Sequence, residues 1–217
     1  MFKKILATGL MISFLMWITV AAGAEAEGQI QIRFDYRCMS TMASNQFALW
    51  VEDDAGNLVK TLYVTNFTGA RRGYRNRDMS LSRWVKAADP ESMTDEALDA
   101  ASGATPRQGS LVFTWDLTDD SNAPIPDGVY HIFMEGSLYW DSSILFSAEI
   151  DLSQLESGAL TVTEERNHPE QADNEDMISN VEMVVIVKED NTAKWLGGLA
   201  PEEALAYILS PAIFNIA

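Results

Sequence analysis

The chain has little cysteine and histidine, and these shortages exclude several classes of protein. Its 217 residues include one cysteine, Cys38, and two histidines, His131 and His168. One cysteine cannot form an internal disulfide, so burial of apolar side chains must stabilise the fold. The three residues match no zinc-ligand spacing, and neither histidine lies near a nucleophile motif, which argues against a zinc site or a hydrolase. We expect Cys38 to be a small packed side chain, with a reactive thiol as the alternative.

Positive charge is also scarce. The chain carries 15 lysines and arginines against 32 aspartates and glutamates, a formal net charge of -17 at pH 7. Removing residues 1–24 would take away Lys3 and Lys4 and no acid, which changes the net charge to -19. A chain this acidic is repelled by nucleic-acid phosphates, so we expect no nucleic-acid partner.

Long apolar runs are missing after the first 24 residues. The chain opens with Lys3 and Lys4, continues with an apolar run over 5–20, and reaches Ala-Gly-Ala at 22–24. This pattern is typical of a signal peptide over 1–24, with an uncleaved N-terminal anchor as the alternative. Either way the rest lies outside the cytoplasm, and we expect a periplasmic protein. The mature chain should have no spanning helix, because no later stretch approaches the ~20 apolar residues that one requires.

What is present is alternation of apolar and polar residues. Apolar residues recur at every second position over 29–36, and the same period over 46–65, interrupted by turn residues at 53–57, predicts a β-hairpin. Further strands are predicted at 110–116, 129–135, 137–140, 144–152, 159–163 and 181–188. About eight short strands predict an all-β fold, an immunoglobulin-like antiparallel β-sandwich over 25–190 with short peripheral helices.

Helices, loops and the tail complete this outline. We expect one or two helical turns between Pro90 and Ala100, with Pro90 in a first helical position, and a helix over 201–209. The acid-rich residues 164–176 predict a solvated loop. Residues 191–217 form an apolar C-terminal tail that we expect to pack on the domain and cover a sheet edge or face. Contact of this tail with a partner or membrane is the alternative.

The segment from Trp115 to Tyr130 has a recognisable pattern. It reads Trp-Asp, an aspartate-rich turn, then Pro-Asp-Gly-Val-Tyr. It resembles the signature of the immunoglobulin-like module in flagellar hook-assembly proteins. The physical content is a strand, a turn that aspartates hold to their own backbone, and a returning strand with an inward tyrosine. Such a pattern specifies a fold rather than an activity.

A longer resemblance covers roughly residues 29–165. The segments that carry it are Arg33-Phe34-Asp35-Tyr36-Arg37, residues 39–46, Leu62-Tyr63-Val64-Thr65, Trp84-Val85-Lys86, residues 102–106 and Trp115-Asp116. These look like the bacterial domain-of-unknown-function 2271 family of predicted periplasmic proteins. The resemblance implies extracytosolic electron transfer beside flavin transferases and PepSY-type membrane redox proteins.

The most specific motif is the heptad at residues 99–105, Asp-Ala-Ala-Ser-Gly-Ala-Thr. It is similar to the motif on which an extracytosolic FMN transferase attaches FMN to a threonine hydroxyl in respiratory FMN-binding subunits. This resemblance makes Thr105 the attachment residue, with Asp99, Ser102, Gly103 and Ala104 as the rest of the cofactor-binding site. Gly103 permits close approach, and Ser102 and Ala104 add little bulk beside a phosphate. Asp99 could orient a hydroxyl or help hold magnesium during transfer.

Two hypotheses of function follow. In the first, the chain is a periplasmic electron carrier with FMN on Thr105 and a PepSY-type membrane redox partner. In the second, it is a cofactor-free immunoglobulin-like binding or assembly module, and the heptad is a loop of small residues before the strand at Ser110. Both make it more a carrier or binding module than a catalyst, and we expect no metal site.

Two charged segments leave alternatives open. Arginines crowd residues 71–86, where they could bind a phosphate beside Tyr74 or Trp84, dock an anionic surface, or form a solvated loop that balances nearby acids. Aspartates at 116–127 and 53–57 could bind calcium or cap their own turns. Turn capping is the interpretation we favour for them.

Overall fold

β-strands are the main regular structure in the described part of the chain. A computed structural model describes residues 28–38, 45–172 and 174–187. The strands are β1 (Gly28–Tyr36), β2 (Gln46–Asp53), β3 (Leu58–Thr65), β4 (Ser102–Gly103), β5 (Gly109–Trp115), β6 (Val129–Tyr139), β7 (Ser142–Asp151), β8 (Gly158–Ala159), β9 (Thr163–Asn167) and β10 (Ile178–Val187). The helices are α1 (Ser82–Ala88) and α2 (Asp95–Ala101), with short 3-10 turns at Gly73–Arg75, Leu152–Gln154 and Pro169–Gln171. The predicted signal peptide (1–24) and C-terminal tail (191–217) lie outside the described residues.

The strands form two sheets. One has the order β5-β1-β10-β8 and the other β4-β3-β2-β6-β7-β9. All pairings are antiparallel except that of β3 with β4. The prediction of an all-β sandwich with short peripheral helices is confirmed.

The main core lies between the sheets. Alternate residues of β1 (Ile30, Ile32 and Phe34) are fully buried, and Phe34 packs edge-on against Phe47 of β2 with ring centroids 5.5 Å apart. β6 contributes Ile132 to the same cluster. Each such side chain stabilises the fold by ~1.5–3 kcal/mol through burial.

A second core lies on the outer face of the six-stranded sheet. Residues 66–101 connect β3 to β4, and we call them the 66–101 insertion. Leu81 and Trp84 of this insertion pack with Leu98 of α2 against Trp50 of β2. Residues 46–51 of β2 are therefore buried on both faces, whereas a strand at the surface would alternate. The insertion is attached to the sandwich rather than a separate loop.

The aspartate-rich corner after β5 is built as predicted. The Trp115 indole Nε1 donates to the Thr118 carbonyl at 2.9 Å. The Tyr130 hydroxyl donates to the Pro126 carbonyl at 2.8 Å, and the Tyr130 ring packs edge-on against Trp115, with centroids 5.9 Å apart. Tyr130 is 5% exposed, so the tyrosine points inward.

Four local predictions are wrong. β6 runs unbroken from Val129 to Tyr139, where two strands were predicted. The region predicted as one strand over 159–163 holds the end of β8 and the start of β9. β9 also replaces part of the predicted loop over 164–176. Pro90 precedes α2, which begins at Asp95 with Thr94 as its N-cap: the Thr94 hydroxyl accepts the Ala97 N–H at 3.2 Å.

None of the helices in the described ranges is both long and apolar enough to cross a bilayer.

The chain passes from the six-stranded to the four-stranded sheet through residues 104–108, between β4 and β5. We call this end of the sandwich the crossover end. β3 and β6 both end there. Thr65, the last residue of β3, pairs with Gly103 of β4. Ser137, near the end of β6, pairs with Gln46, the first residue of β2.

Candidate functional site

The heptad does not form one loop. Residues 99–101 are the last turn of α2, residues 102–103 are β4, and Ala104 and Thr105 follow outside regular structure. Helix at residues 99–100 agrees with the helical turns predicted up to Ala100, and the interpretation as a simple loop is wrong for residues 101–103. The crossover end of the sandwich positions Thr105.

Ser102 has a structural role. Its hydroxyl donates to the Leu98 carbonyl at 2.6 Å and accepts the backbone N–H of Ala70 at 2.9 Å. The first bond closes the end of α2, and the second ties β4 to the 66–101 insertion. A side chain at Gly69 would overlap this hydroxyl. The Ser102 hydroxyl thus both donates and accepts a hydrogen bond within the fold.

Gly103 also has a structural role. A Cβ at this position would overlap Cε2 of Tyr63, and the Gly103 carbonyl accepts the Asn66 N–H at 2.7 Å. The Tyr63 hydroxyl then donates to the Ala104 carbonyl at 2.8 Å. Burial raises the pKa of Tyr63, which keeps this donor protonated. Residues 102–104 are held by hydrogen bonds on both sides.

We expect Gly103→Ala to lower the free energy of unfolding by about 1–3 kcal/mol through overpacking. The Tyr63 ring cannot move away freely, because it packs against Phe47 and Phe113 with centroids 5.0 and 4.9 Å apart. Urea denaturation measures the change. Gly158→Ala is the matched control, since a Cβ there meets nothing within 4 Å. Equal stabilities of the two variants would contradict the structural role of Gly103.

Thr105, Ala104 and Asp99 are exposed. Arg107, two residues further on, is also exposed and forms no ion pair among the described residues. The result is an accessible hydroxyl that follows a segment anchored by hydrogen bonds. An accessible hydroxyl is the chemical requirement for attaching a phosphate ester.

Cys38, just after β1 at the same end, is exposed, so the expectation of a packed side chain is wrong. The apolar period of β1 ends at Tyr36. Two residues beyond it the chain has left the core. The reactive-thiol alternative stays a prediction.

The arginine-rich segment 71–86 is not a solvated loop, because it contains a 3-10 turn and α1. Its arginines do balance acids: Arg72 pairs with Asp95 at 2.9 Å and Arg75 with Glu91 at 2.6 Å. The Arg75 hydrogen bonds also lower the pKa of Glu91. A third pair joins Arg83 of α1 to Glu165 of β9.

Tyr74 and Trp84 cannot stack on a flat ligand, as one interpretation of that segment suggested. Trp84 is fully buried and Tyr74 is 8% exposed. The Trp84 indole Nε1 donates to the Thr61 hydroxyl at 3.1 Å. This ring belongs to the second core.

The turn aspartates cap backbone groups. Asp119 Oδ1 accepts the N–H groups of Ser121 and Ala123 at 2.8 and 2.9 Å. Asp53 Oδ1 accepts the Asn57 N–H at 2.8 Å. Among the described residues no three metal-ligating side chains cluster. The turn-capping interpretation accounts for these carboxylates.

Glu135 is a titratable residue that sequence reasoning missed. It is fully buried on the outer face of β6, and its carboxylate accepts the N–H groups of Arg83 and Trp84 at 3.1 and 3.0 Å. It therefore caps the start of α1. Burial raises its pKa to about 7, against the two hydrogen bonds, which lower it. The only signal in the sequence is a glutamate at a position inside an apolar strand.

Comparison with known proteins adds one match. A model of a family described as "Predicted periplasmic protein (DUF2271)" matches residues 27–167. No curated protein and no solved structure matches the chain.

Proposed function

The chain belongs to the DUF2271 family of predicted periplasmic proteins, and on that premise we propose that it carries FMN on Thr105 and transfers electrons outside the cytoplasm. The observation that supports this most is the exposure of Thr105 directly after the anchored residues 102–104. A transferase needs such access to the hydroxyl. The heptad resemblance supplies the identity of the cofactor.

The residues around Thr105 fit an attached phosphate. The Thr105 hydroxyl would form the ester, and the Arg107 guanidinium, exposed and without an ion pair among the described residues, would offset the remaining negative charge. Asp99, exposed at the end of α2, would help hold magnesium while a transferase acts. Bound FMN would supply a group that takes up and releases electrons.

Ser102 and Gly103 would act on the cofactor indirectly. Their contacts with Ala70, Leu98 and Tyr63 fix the backbone before Thr105, so the hydroxyl is presented from a rigid position. The electron-transfer partner would be a PepSY-type membrane redox protein, and maturation would require an FMN transferase. Both partners come from what the family resemblance implies.

Intact mass spectrometry of the full chain, co-expressed with an FMN transferase, tests the proposal. FAD would supply the flavin, and AMP would leave with the threonine proton. We expect a mass increase that corresponds to one FMN less one water, and flavin absorbance that survives denaturation. Thr105→Val should lose both without a loss of stability, because residue 105 is exposed. Thr114→Val, at another exposed threonine on β5, is the matched control and should keep the adduct. Unmodified wild-type protein under these conditions would reject the proposal.

A cofactor-free binding or assembly module is the second candidate. It is favoured by the observation that Ser102 and Gly103 have contacts within the fold that account for their identities without a ligand. In that case purified protein from its own host is colourless and has the mass of the polypeptide alone. The same mass measurement therefore separates the two candidates.

A further inference from the structure

Trp140 occupies a turn position that disfavours a bulky side chain. Tyr139 pairs with Ser142, so Trp140 and Asp141 form the two-residue turn between β6 and β7. The backbone of Trp140 is left-handed, with φ 34°. Glycine is preferred in such a position because it has no Cβ. The stability of the turn does not explain a tryptophan here, so this residue is a candidate for a role outside the turn.

Trp140 is also one of two exposed large apolar residues in the described ranges. It is 53% exposed, and Phe67 is 38% exposed. The Arg77 guanidinium lies 5.1 Å from the centre of the Trp140 ring, and Tyr139 packs edge-on at 6.2 Å. Tryptophan, tyrosine and arginine are the residues most enriched among those that dominate binding energy at protein interfaces.

Both aromatic residues lie at the crossover end. Phe67 follows the end of β3, and Trp140 follows the end of β6. Only β2 lies between these strands, so their ends are roughly 10 Å apart, two strand spacings. One partner surface of ordinary size would span both residues.

Arginines without an ion pair lie at this end of an acidic chain, beside the exposed Asp78 and Asp141, which form none among the described residues either. The arginines that form ion pairs within the described residues are Arg37, Arg72, Arg75, Arg83 and Arg166. Arg71, Arg77 and Arg107 form none there, although acids outnumber bases 32 to 15 in the chain. Arg71 lies beside the end of β3, since its N–H donates to the Asn66 carbonyl, and Arg107 lies in the crossover itself.

We propose that the crossover end, through Phe67, Arg71, Arg77, Arg107 and Trp140, docks a protein with an acidic surface. Phe67 and Trp140 bury apolar area against the partner, and the three arginines pair with its carboxylates. The docking surface stands whether or not Thr105 carries FMN. If it does, the partner binds at the same end as the flavin.

Trp140→Gly separates docking from stability. Because glycine adopts the left-handed backbone without strain, the melting temperature should equal or exceed that of the wild type. A purely structural tryptophan would instead give a lower melting temperature. A clear decrease would therefore overturn the proposal.

Photo-crosslinking of the full chain in its own host tests the partner. Benzoylphenylalanine is placed at Phe67, or at the exposed Asn76 if the first variant does not fold, with Ser121 as control. Ser121 is exposed in the turn between β5 and β6, at the opposite end of the sandwich. We expect a protein adduct whose crosslinked peptide is acidic, formed at Phe67 or Asn76 and not at Ser121.

The adduct should decrease by about tenfold or more in the triple variant Arg71→Glu, Arg77→Glu, Arg107→Glu, and also in Trp140→Gly. Loss of the adduct in both variants, with folding intact, supports the docking surface. Crosslinks to lipid or to a second copy of this chain, equal yields in the variants, or no adduct above the Ser121 control would each overturn it.

Discussion

Raising the pH from about 5 to about 8 should lower the free energy of unfolding by about 3 kcal/mol through Glu135 alone. The side chain is fully buried, and burial raises its pKa from the ordinary 4.5 to about 7. In the unfolded chain the carboxyl ionises near its ordinary pKa. The folded protein therefore holds a proton that the unfolded chain has lost over this interval.

The sign follows from proton binding. Below the ordinary pKa both states are protonated, and the contribution of Glu135 to stability is complete. Between 4.5 and about 7 only the unfolded state ionises, so the folded state loses relative stability at about 1.4 kcal/mol per pH unit. Above the folded pKa both states are ionised and the loss is finished. Acids with lowered pKa values, such as Asp35 and Asp53, change stability only at lower pH.

Glu135→Gln tests this assignment. The amide oxygen can still accept the N–H groups of Arg83 and Trp84, but the side chain cannot ionise. The variant should therefore lack the Glu135 contribution to the pH dependence, so that the difference in stability from the wild type shifts by about 3 kcal/mol in favour of the variant at high pH. Urea denaturation at each pH measures it. Glu156→Gln, at an exposed position outside regular structure, should keep the wild-type slope, and a slope for Glu135→Gln parallel to that of the wild type would contradict the assignment.

The strands of the sandwich could be predicted because each has one buried face. β1 is the clearest case: Ile30, Ile32 and Phe34 alternate with polar residues, and the structure buries them. β9 was missed for the same physical reason. All five of its residues are exposed, and it is held by backbone pairing with β7, so no apolar period marks it.

Helix α1 shows a different limit of local reasoning. Its N-cap is Leu81 in a left-handed conformation, with no side-chain hydrogen bond of its own. The group that caps it is Glu135, 51 residues from Trp84 along the chain. Signals for helix ends are read from neighbouring residues, and here the signal comes from another strand.

The candidate site could likewise be predicted from the sequence only in part. The heptad could be identified because it is contiguous, and the exposure of Thr105 agrees with what the motif requires. The reasons for Ser102 and Gly103 lie in Ala70 and Tyr63, more than 30 residues away. The pairing of Arg83 with Glu165 across 82 residues is likewise a property of the tertiary fold.

Trp84→Ala should lower the free energy of unfolding by about 3–5 kcal/mol, the largest effect that we expect of a single substitution. The ring is fully buried, and the substitution leaves a cavity between α1 and the six-stranded sheet. It also removes the hydrogen bond from Nε1 to the Thr61 hydroxyl. Trp84→Phe keeps most of the ring and should cost less, about 1–3 kcal/mol.

The control for this prediction is a substitution of an exposed tryptophan. Trp140→Ala removes a ring that is 53% exposed and should change stability by less than about 1 kcal/mol. Urea denaturation of the three variants also shows whether the 66–101 insertion unfolds with the sandwich. The insertion buries Leu81, Trp84 and Leu98 in one cluster with Trp50 of the sheet, so its packing energy belongs to the whole domain. If the Trp84→Ala protein had nearly wild-type stability, the insertion would have to open separately from the sandwich. Glu135 would then become exposed to water at little cost in free energy.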